Sequence, residues 1–324
     1  MDKILNLNID SFQKILDKNK YGIFICSSSF ENRCKIIPKI IGNQIKQILV
    51  CHYKNNYISA NNHYDEIISF FKNPQKVFFE RNNPLVNIDL ISNVLRLIFS
   101  KKNKNNKILV DITTLTREMI FILIYFFKNV PPVNKFNVTF VYNPAEKYAI
   151  DKENYSEKWL SRGVRDIRSV LGYSGLFLPN KKLALILLVG FEHERAKKII
   201  DNFEPSKVFI GHASIEGAIT KELQVINKKV FDELKNMLSV EMTQFEFSCK
   251  TPDETKATVN EIISSIKNDY NIVIASLNNK ISTTGVAFAA LENPEVQICY
   301  PTVNQYNIEN YSTSKDEIYL IDIN

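Results

Sequence analysis

Hydroxyl, carboxylate and guanidinium side chains gather at a few short places in this 324-residue chain. Ser27, Ser28 and Ser29 are followed closely by Glu31 and Arg33. A second cluster reads Asp111-Ile112-Thr113-Thr114-Leu115-Thr116-Arg117-Glu118 and opens an apolar helix. Serine and threonine at such a turn cap the helix through their hydroxyls, and Thr114 is the expected N-cap. The same helix start offers unpaired N–H groups to an anion, and an arginine beside it can hold phosphate through two parallel bonds. The chemistry expected is recognition of phosphate or ribose, carried by Ser28, Ser29, Arg33, Asp111, Thr113, Thr114, Thr116 and Arg117. A later turn, Ser276-Leu277-Asn278-Asn279-Lys280-Ile281-Ser282-Thr283-Thr284-Gly285, lacks the aspartate but keeps hydroxyls and adds a cation and two amides. Its candidates are Asn278, Lys280, Ser282 and Thr283, together with Arg195.

Catalysis is a second reading of the same places. His52 and His212 end two apolar runs, where a general base could sit, though a histidine there is as readily a satisfied polar group. Glu31 with Arg33, and Glu192 with Arg195, recur as carboxylate–guanidinium pairs. Each carboxylate could orient a ribose hydroxyl, act as a base, or form an ion pair with its own arginine. Glu31, Glu192, His52 and His212 are therefore the catalytic candidates. Glycine is scarce, 9 residues in all, and neither GxGxxG nor GxxxxGK[ST] occurs. HExxH, GxSxG and Cys/His clusters are also missing, so no metal site and no cofactor are expected. Pro252-Asp253-Glu254-Thr255-Lys256 superficially matches a nuclease motif, but it reads as a helix start, where acidic residues suit the dipole.

The elements that must position these groups occur twice. Gly22–Ser29 reads as a buried strand and Phe30–Ile41 as a helix; Leu183–Gly190 and Phe191–Phe203 repeat them. Ile48–Tyr53 corresponds to Val208–Ala213, which sets His52 against His212. Val77–Glu80 corresponds to Phe245–Ser248, Lys107–Ile112 to Asn271–Ser276, and Val138–Tyr142 to Val296–Tyr300. Tyr148 and Tyr155 correspond to Tyr306 and Tyr311, at offsets of about 160 residues throughout. The strands are continuous Ile, Val, Leu and Phe runs alternating with helices, as in parallel sheets covered on both faces. The expected fold is α/β: two tandem Rossmann-like parallel-sheet halves forming an internal pseudo-dimer. Residues 1–150 would be the first half with an N-terminal helix. Residues 151–180 would be a linker with a short helix, and 181–324 the second half. On that linker helix Arg162, Arg165 and Arg168 would share a face, clamping phosphates or pairing with Glu153, Glu157 and Asp166.

The Ser-rich loop after strand one and Asp-Ile-Thr-Thr-Leu-Thr-Arg after strand four resemble CRISPR-associated Rossmann-fold (CARF) domains. Two such units in one chain are similar to the SAVED sensors of bacterial anti-phage signalling, or to tandem-CARF effectors. The resemblance implies a cyclic oligonucleotide second messenger bound between two halves. It implies contacts from Ser28, Ser29, Thr113, Thr114, Thr116 and Arg117 in the first half and Glu192, Lys280, Ser282 and Thr283 in the second. The glycine pair usual in the strand-four turn of that family is absent here, and no nuclease, protease or helix-turn-helix effector is evident.

Charge and composition bound the partners. The net charge is +6, and the densest basic run, Lys101–Lys107, is interleaved with asparagine, so nucleic acid is not the favoured partner. Cys26, Cys34, Cys51, Cys249 and Cys299 lie in apolar runs without a CxxC, which suits a reducing cytoplasm. No targeting segment or membrane span is read. The leading expectation is a cytoplasmic sensor in bacterial anti-phage defence that binds a nucleotide-type ligand, such as a cyclic oligonucleotide, between its two Rossmann-like halves and passes its signal to a protein partner carrying the effector activity. The alternatives are a nucleotide-directed hydrolase, of phosphodiesterase or glycosidase type, and a non-catalytic subunit of a larger defence complex.

Overall fold

A computed structural model describes residues 4–53, 57–100, 106–131, 135–149 and 159–324. Long parallel strands form where the sequence runs apolar without interruption. In chain order the elements are β1 (Ile4–Leu7), α1 (Ile9–Asn19), β2 (Ile23–Ser27), a 3-10 turn (Asn32–Lys35), α2 (Ile36–Ile41), β3 (Gln47–Tyr53), α3 (Ile58–Ser69), β4 (Gln75–Phe79), α4 (Pro84–Ser100), β5 (Lys107–Asp111), α5 (Arg117–Asn129) and β6 (Asn137–Tyr142). There follow β7 (Ala145–Tyr148), β8 (Ser161–Ser174), β9 (Lys182–Leu188), α6 (His193–Phe203), β10 (Lys207–Ala213), α7 (Lys221–Met237), β11 (Glu241–Phe247), α8 (Pro252–Ile266), β12 (Tyr270–Ser276), α9 (Lys280–Glu292) and β13 (Gln297–Tyr306). The chain ends with β14 (Ser312–Ser314) and β15 (Ile318–Asp322).

The chain divides into two compact units. One is Met1–Ala145 with Ser312–Asn324, and the other is Glu146–Tyr311. The division differs from the expected boundaries at both ends of the second half. The last residues return to the first unit, where β15 pairs antiparallel with β6 and β1 pairs antiparallel with β15. The expected N-terminal helix is thus preceded by a strand, β1, whose partner lies at the far end of the sequence. Nothing local in Ile4–Leu7 announces that pairing.

The first unit holds a seven-stranded sheet in the order β1-β15-β6-β5-β2-β3-β4. The second holds a six-stranded sheet in the order β11-β10-β9-β12-β13-β8. Within each, the five strands read from the sequence are parallel and follow one order: third, second, first, fourth, fifth. β2 is buried along its whole length, and the inner strands β5 and β9 are buried after their first residues. Helices cover the sheets: Phe12, Ile37, Ile41 and Ile67 pack onto the first, and Ile199, Val230 and Phe231 onto the second. All five cysteines are free and buried, and burial pushes the Cys34, Cys249 and Cys299 thiols up to about 12.

The expected linker helix is a strand. Residues 151–158, with Glu153, Tyr155 and Glu157, lie outside the described residues, as does Lys101–Asn105 of the basic run. Ser161–Ser174 is β8, antiparallel to β13 on the edge of the second sheet. Arg162 and Arg168 stand opposite Gln305 and Tyr300, an odd number of residues apart, so the two arginines point to opposite faces. A one-faced arginine clamp is excluded by that pairing. Arg162 instead stacks over the Trp159 ring, 4.2 Å from its centroid. Among the described residues no helix is long and apolar enough to cross a membrane.

Candidate functional site at the strand ends

In open parallel sheets, ligands bind beyond the carboxyl ends of the strands where the strand order reverses. In the first unit that reversal falls between β2 and β5. The loops after these strands are Ser28–Glu31 and Ile112–Thr116, the two hydroxyl-rich clusters of the sequence. β2 and β5 stay paired only from Ile23↔Ile108 to Ile25↔Val110. Beyond that point the Thr113 amide bonds the Asp111 carboxylate instead of β2, whereas the Ile112 amide stays on β6 and the Ser28 amide on β3. The two strand ends therefore part, bridged by the Thr114 hydroxyl donating to the Ser27 carbonyl at 3.2 Å.

Half-exposed Ser29, Thr114, Thr116 and Arg117 border this parting. Thr116, rather than Thr114, is the N-cap of α5: its hydroxyl accepts the Met119 N–H at 3.2 Å, and Arg117 begins the helix. Asp111 and Thr113 lie beneath, buried. The Asp111 carboxylate accepts the Thr113 N–H at 2.9 Å, and the Thr113 hydroxyl accepts the Asn143 N–H at 3.0 Å. Burial pushes the Asp111 carboxyl up to about 7, although the Thr113 bonds and the Arg33 charge pull the other way. These two residues shape the loop from below.

On the other side of β2, Ser28 Oγ lies 2.7 Å from His52 Nδ1, and both residues are buried. The imidazole is stacked on Tyr64 with centroids 4.5 Å apart, and its edge meets Phe78. Burial lowers the His52 pKa, opposed by a hydrogen bond that the ring donates to the Asn61 side chain and by the charge of Asp65. The neighbouring Ser29 carbonyl is held by His63 Nδ1 at 2.8 Å.

The recurring Glu–Arg pairs have a structural use in both units. Arg33 donates to Glu31 at 2.6 Å, to the Ser312 hydroxyl at 2.9 Å and to the Asn143 carbonyl at 2.8 Å. Ser312 Oγ also donates to Glu31 at 2.8 Å. The pair thereby pins the returning C-terminal segment to the first strand-end loop. In the second unit Glu192 accepts from the Ser161 hydroxyl at 2.8 Å and from the Leu160 and Ser161 amides. Arg195 donates to the same hydroxyl and lies 3.4 Å from Glu192. Of the open alternatives for Glu31 and Glu192, the structure displays the ion pair. Ser312 and Ser161, which complete the clusters, have no local sequence signal, because each comes from a distant segment.

The corresponding reversal in the second unit, between β9 and β12, is closed. These strands pair along their full length, up to Leu188↔Ser276, and the next amide, Leu277, bonds the Leu188 carbonyl. A Cβ on Gly190 would lie 2.1 Å from the Leu277 carbonyl oxygen, so the two loops touch backbone to backbone. Asn278 donates to the Val189 carbonyl at 2.7 Å, and Asn227, unnoticed in the sequence, donates to Val189 and Gly190. Ser282 and Thr283 are fully buried, with hydroxyls bonded to the Asn279 carbonyl. Their groups, and those of Asn278 and Arg195, are taken up inside the unit; Lys280 is half-exposed at the start of α9. His212 bonds the Ala213 carbonyl through Nδ1. Tyr148, Tyr306 and Tyr311 pack on one another and on Phe191. Pro252-Asp253-Glu254 forms the first turn of α8, as expected. Among the described residues no group of three or more His, Cys, Asp or Glu is gathered to hold a metal ion.

Strand order and helix placement define the class as Rossmann-like α/β. No family model and no curated protein matches the chain. Among solved structures it is similar to UDP-GlcNAc 2-epimerase from Neisseria meningitidis bound to UDP-GlcNAc, at 12% identity, over 78% of this chain and 76% of that one, with a TM-score of 0.23. So distant a likeness carries no argument about function.

Proposed function

We propose that this chain is a sensor that binds a nucleotide-type ligand at the parted strand ends of its first unit and signals to a protein partner in bacterial anti-phage defence. The observation that carries the binding reading is the separation of β2 from β5 after Ile25 and Val110, in contrast to the closed equivalent in the second unit. The Ser29 hydroxyl suits a ribose or phosphate oxygen, the Thr114 oxygen suits a ribose hydroxyl that donates to it, and Arg117 at the α5 N-terminus suits a phosphate. The resemblance to CARF and SAVED domains supports the defence setting and a cyclic oligonucleotide as the ligand.

The test is thermal unfolding of the purified protein against mononucleotides, dinucleotides and cyclic di-, tri- and tetranucleotides, with mass spectrometry of each incubated ligand. A ligand at a hundred times its Kd stabilises by about 2.7 kcal/mol, which raises Tm by a few degrees. Arg117→Ala is expected to weaken that ligand by about 10- to 100-fold, as the loss of a charge-assisted hydrogen bond does. A panel without a single shift contradicts the reading.

A further inference from the structure

One pair at the site is more than binding requires. Ser28 Oγ sits 2.7 Å from His52 Nδ1, a hydroxyl and an imidazole within proton-transfer reach. The ring is fixed from several sides. Tyr64 stacks on one face, Phe78 meets its edge, and the Asn61 side chain hydrogen-bonds it. A nucleophile, a base and a group orienting the base are the three parts of an activated serine.

The second unit supplies an internal comparison. The Ser28 amide bonds the carbonyl before His52, and the Val189 amide bonds the carbonyl before His212 in the same way. Val189 thus stands at the Ser28 position. Where the hydroxyl is missing, the histidine ring turns its Nδ1 to a main-chain carbonyl instead. A histidine at this strand end needs no serine to be satisfied, so the hydroxyl of Ser28 is a feature of the first unit rather than of the fold.

We propose that Ser28 is a nucleophile, with His52 as its base, acting on a phosphate ester of the ligand bound at the first unit. The substrate class rests on the binding reading above; the reactivity of the pair does not. Ser28 Oγ forms a bond to phosphorus while the ester P–O bond breaks. The hydroxyl proton passes to His52 and then to the departing oxygen. Water then attacks the phosphoserine, giving a proton to His52, and the Oγ–P bond breaks as Ser28 takes that proton back. Asn61 is a positioning residue.

Diisopropyl fluorophosphate tests the pair without knowledge of the ligand. Attack forms the Oγ–P bond, breaks the P–F bond and releases fluoride, with the proton taken by His52. The expected result is one diisopropylphosphoryl group, located at Ser28 by peptide mass spectrometry, in folded protein and absent from urea-unfolded protein. His52→Gln is expected to slow the modification at least 100-fold, the usual share of a general base. The pH dependence of the rate in the unaltered protein is a second readout that requires no variant. It should rise through a single ionisation below the ordinary histidine range, because burial of the ring outweighs the facing Asp65 and the Asn61 bond. A folded protein that stays unmodified at Ser28, or a His52→Gln variant modified as fast as the parent, overturns the proposal. Failure here with a retained nucleotide-induced thermal shift leaves binding standing. Modification of Ser28 without any such shift upholds the nucleophile and removes the nucleotide class.

Discussion

Arg33→Ala is expected to destabilise the protein by about 3–5 kcal/mol, the cost of removing one member of a buried, hydrogen-bonded ion pair. Arg33 and Glu31 side chains are only 4% and 11% exposed. Without the guanidinium, Glu31 keeps Ser312 as its neighbour but loses the opposite charge, and the Asn143 carbonyl loses its donor. Arg33→Lys should rescue little, since one ammonium cannot replace a planar fork aimed at a carboxylate, a hydroxyl and a carbonyl. A Glu31→Gln/Arg33→Met double variant should recover much of the loss, because no unpaired charge is left behind. Chemical denaturation of the four proteins under one buffer reads these differences. Equal stability of Arg33→Ala and the parent would mean that the cluster is not holding the C-terminal segment.

Asp111 gives the second large effect, and its sign follows from its environment. Its carboxyl in the folded protein is pushed up to about 7 by burial, far above the usual carboxylate range. The folded state therefore favours the protonated form. Its stabilising contribution is complete below pH about 4, shrinks as the unfolded chain ionises above that, and is lost once pH passes about 7. At about 1.4 kcal/mol per pH unit, the window of about three units corresponds to about 4 kcal/mol. Asp111→Asn keeps an acceptor for the Thr113 N–H and removes the titration. Urea denaturation at pH 4.5 and pH 8 should show the parent losing stability across that interval relative to the variant. Parallel pH profiles for the two proteins would contradict the account.

The fold was legible where one physical cause dominated. Runs such as Ile48–Tyr53 and Leu183–Leu188 are apolar because helices cover both faces, so they could be read without knowing any partner. β1, β8 and β15 were less legible. β8 carries arginines at a spacing that suits a helix, and its strand character comes from lying along β13, more than a hundred residues away. At the site, the strand-end rule pointed to the Ser27–Ser29 and Asp111–Arg117 loops, which the structure brings together at one reversal of strand order. The equivalent serines and threonines of α9 looked alike in sequence. There, Ser282 and Thr283 turn inward to the Asn279 carbonyl, and sequence carries no mark that separates an inward hydroxyl from an outward one. The Glu–Arg pairs were visible as pairs, but the serines that complete them come from Ser312 and Ser161, beyond the reach of local pattern.

The central claim is that the first unit, and not the second, holds the ligand. Hydrogen–deuterium exchange with the panel nucleotide giving the largest thermal shift tests it directly. The account predicts added protection in Ser28–Arg33 and Ile112–Ile120, with no local gain at Val189–Glu192 or Leu277–Thr283. Protection confined to the second unit's loops, or spread evenly over the chain, would contradict it.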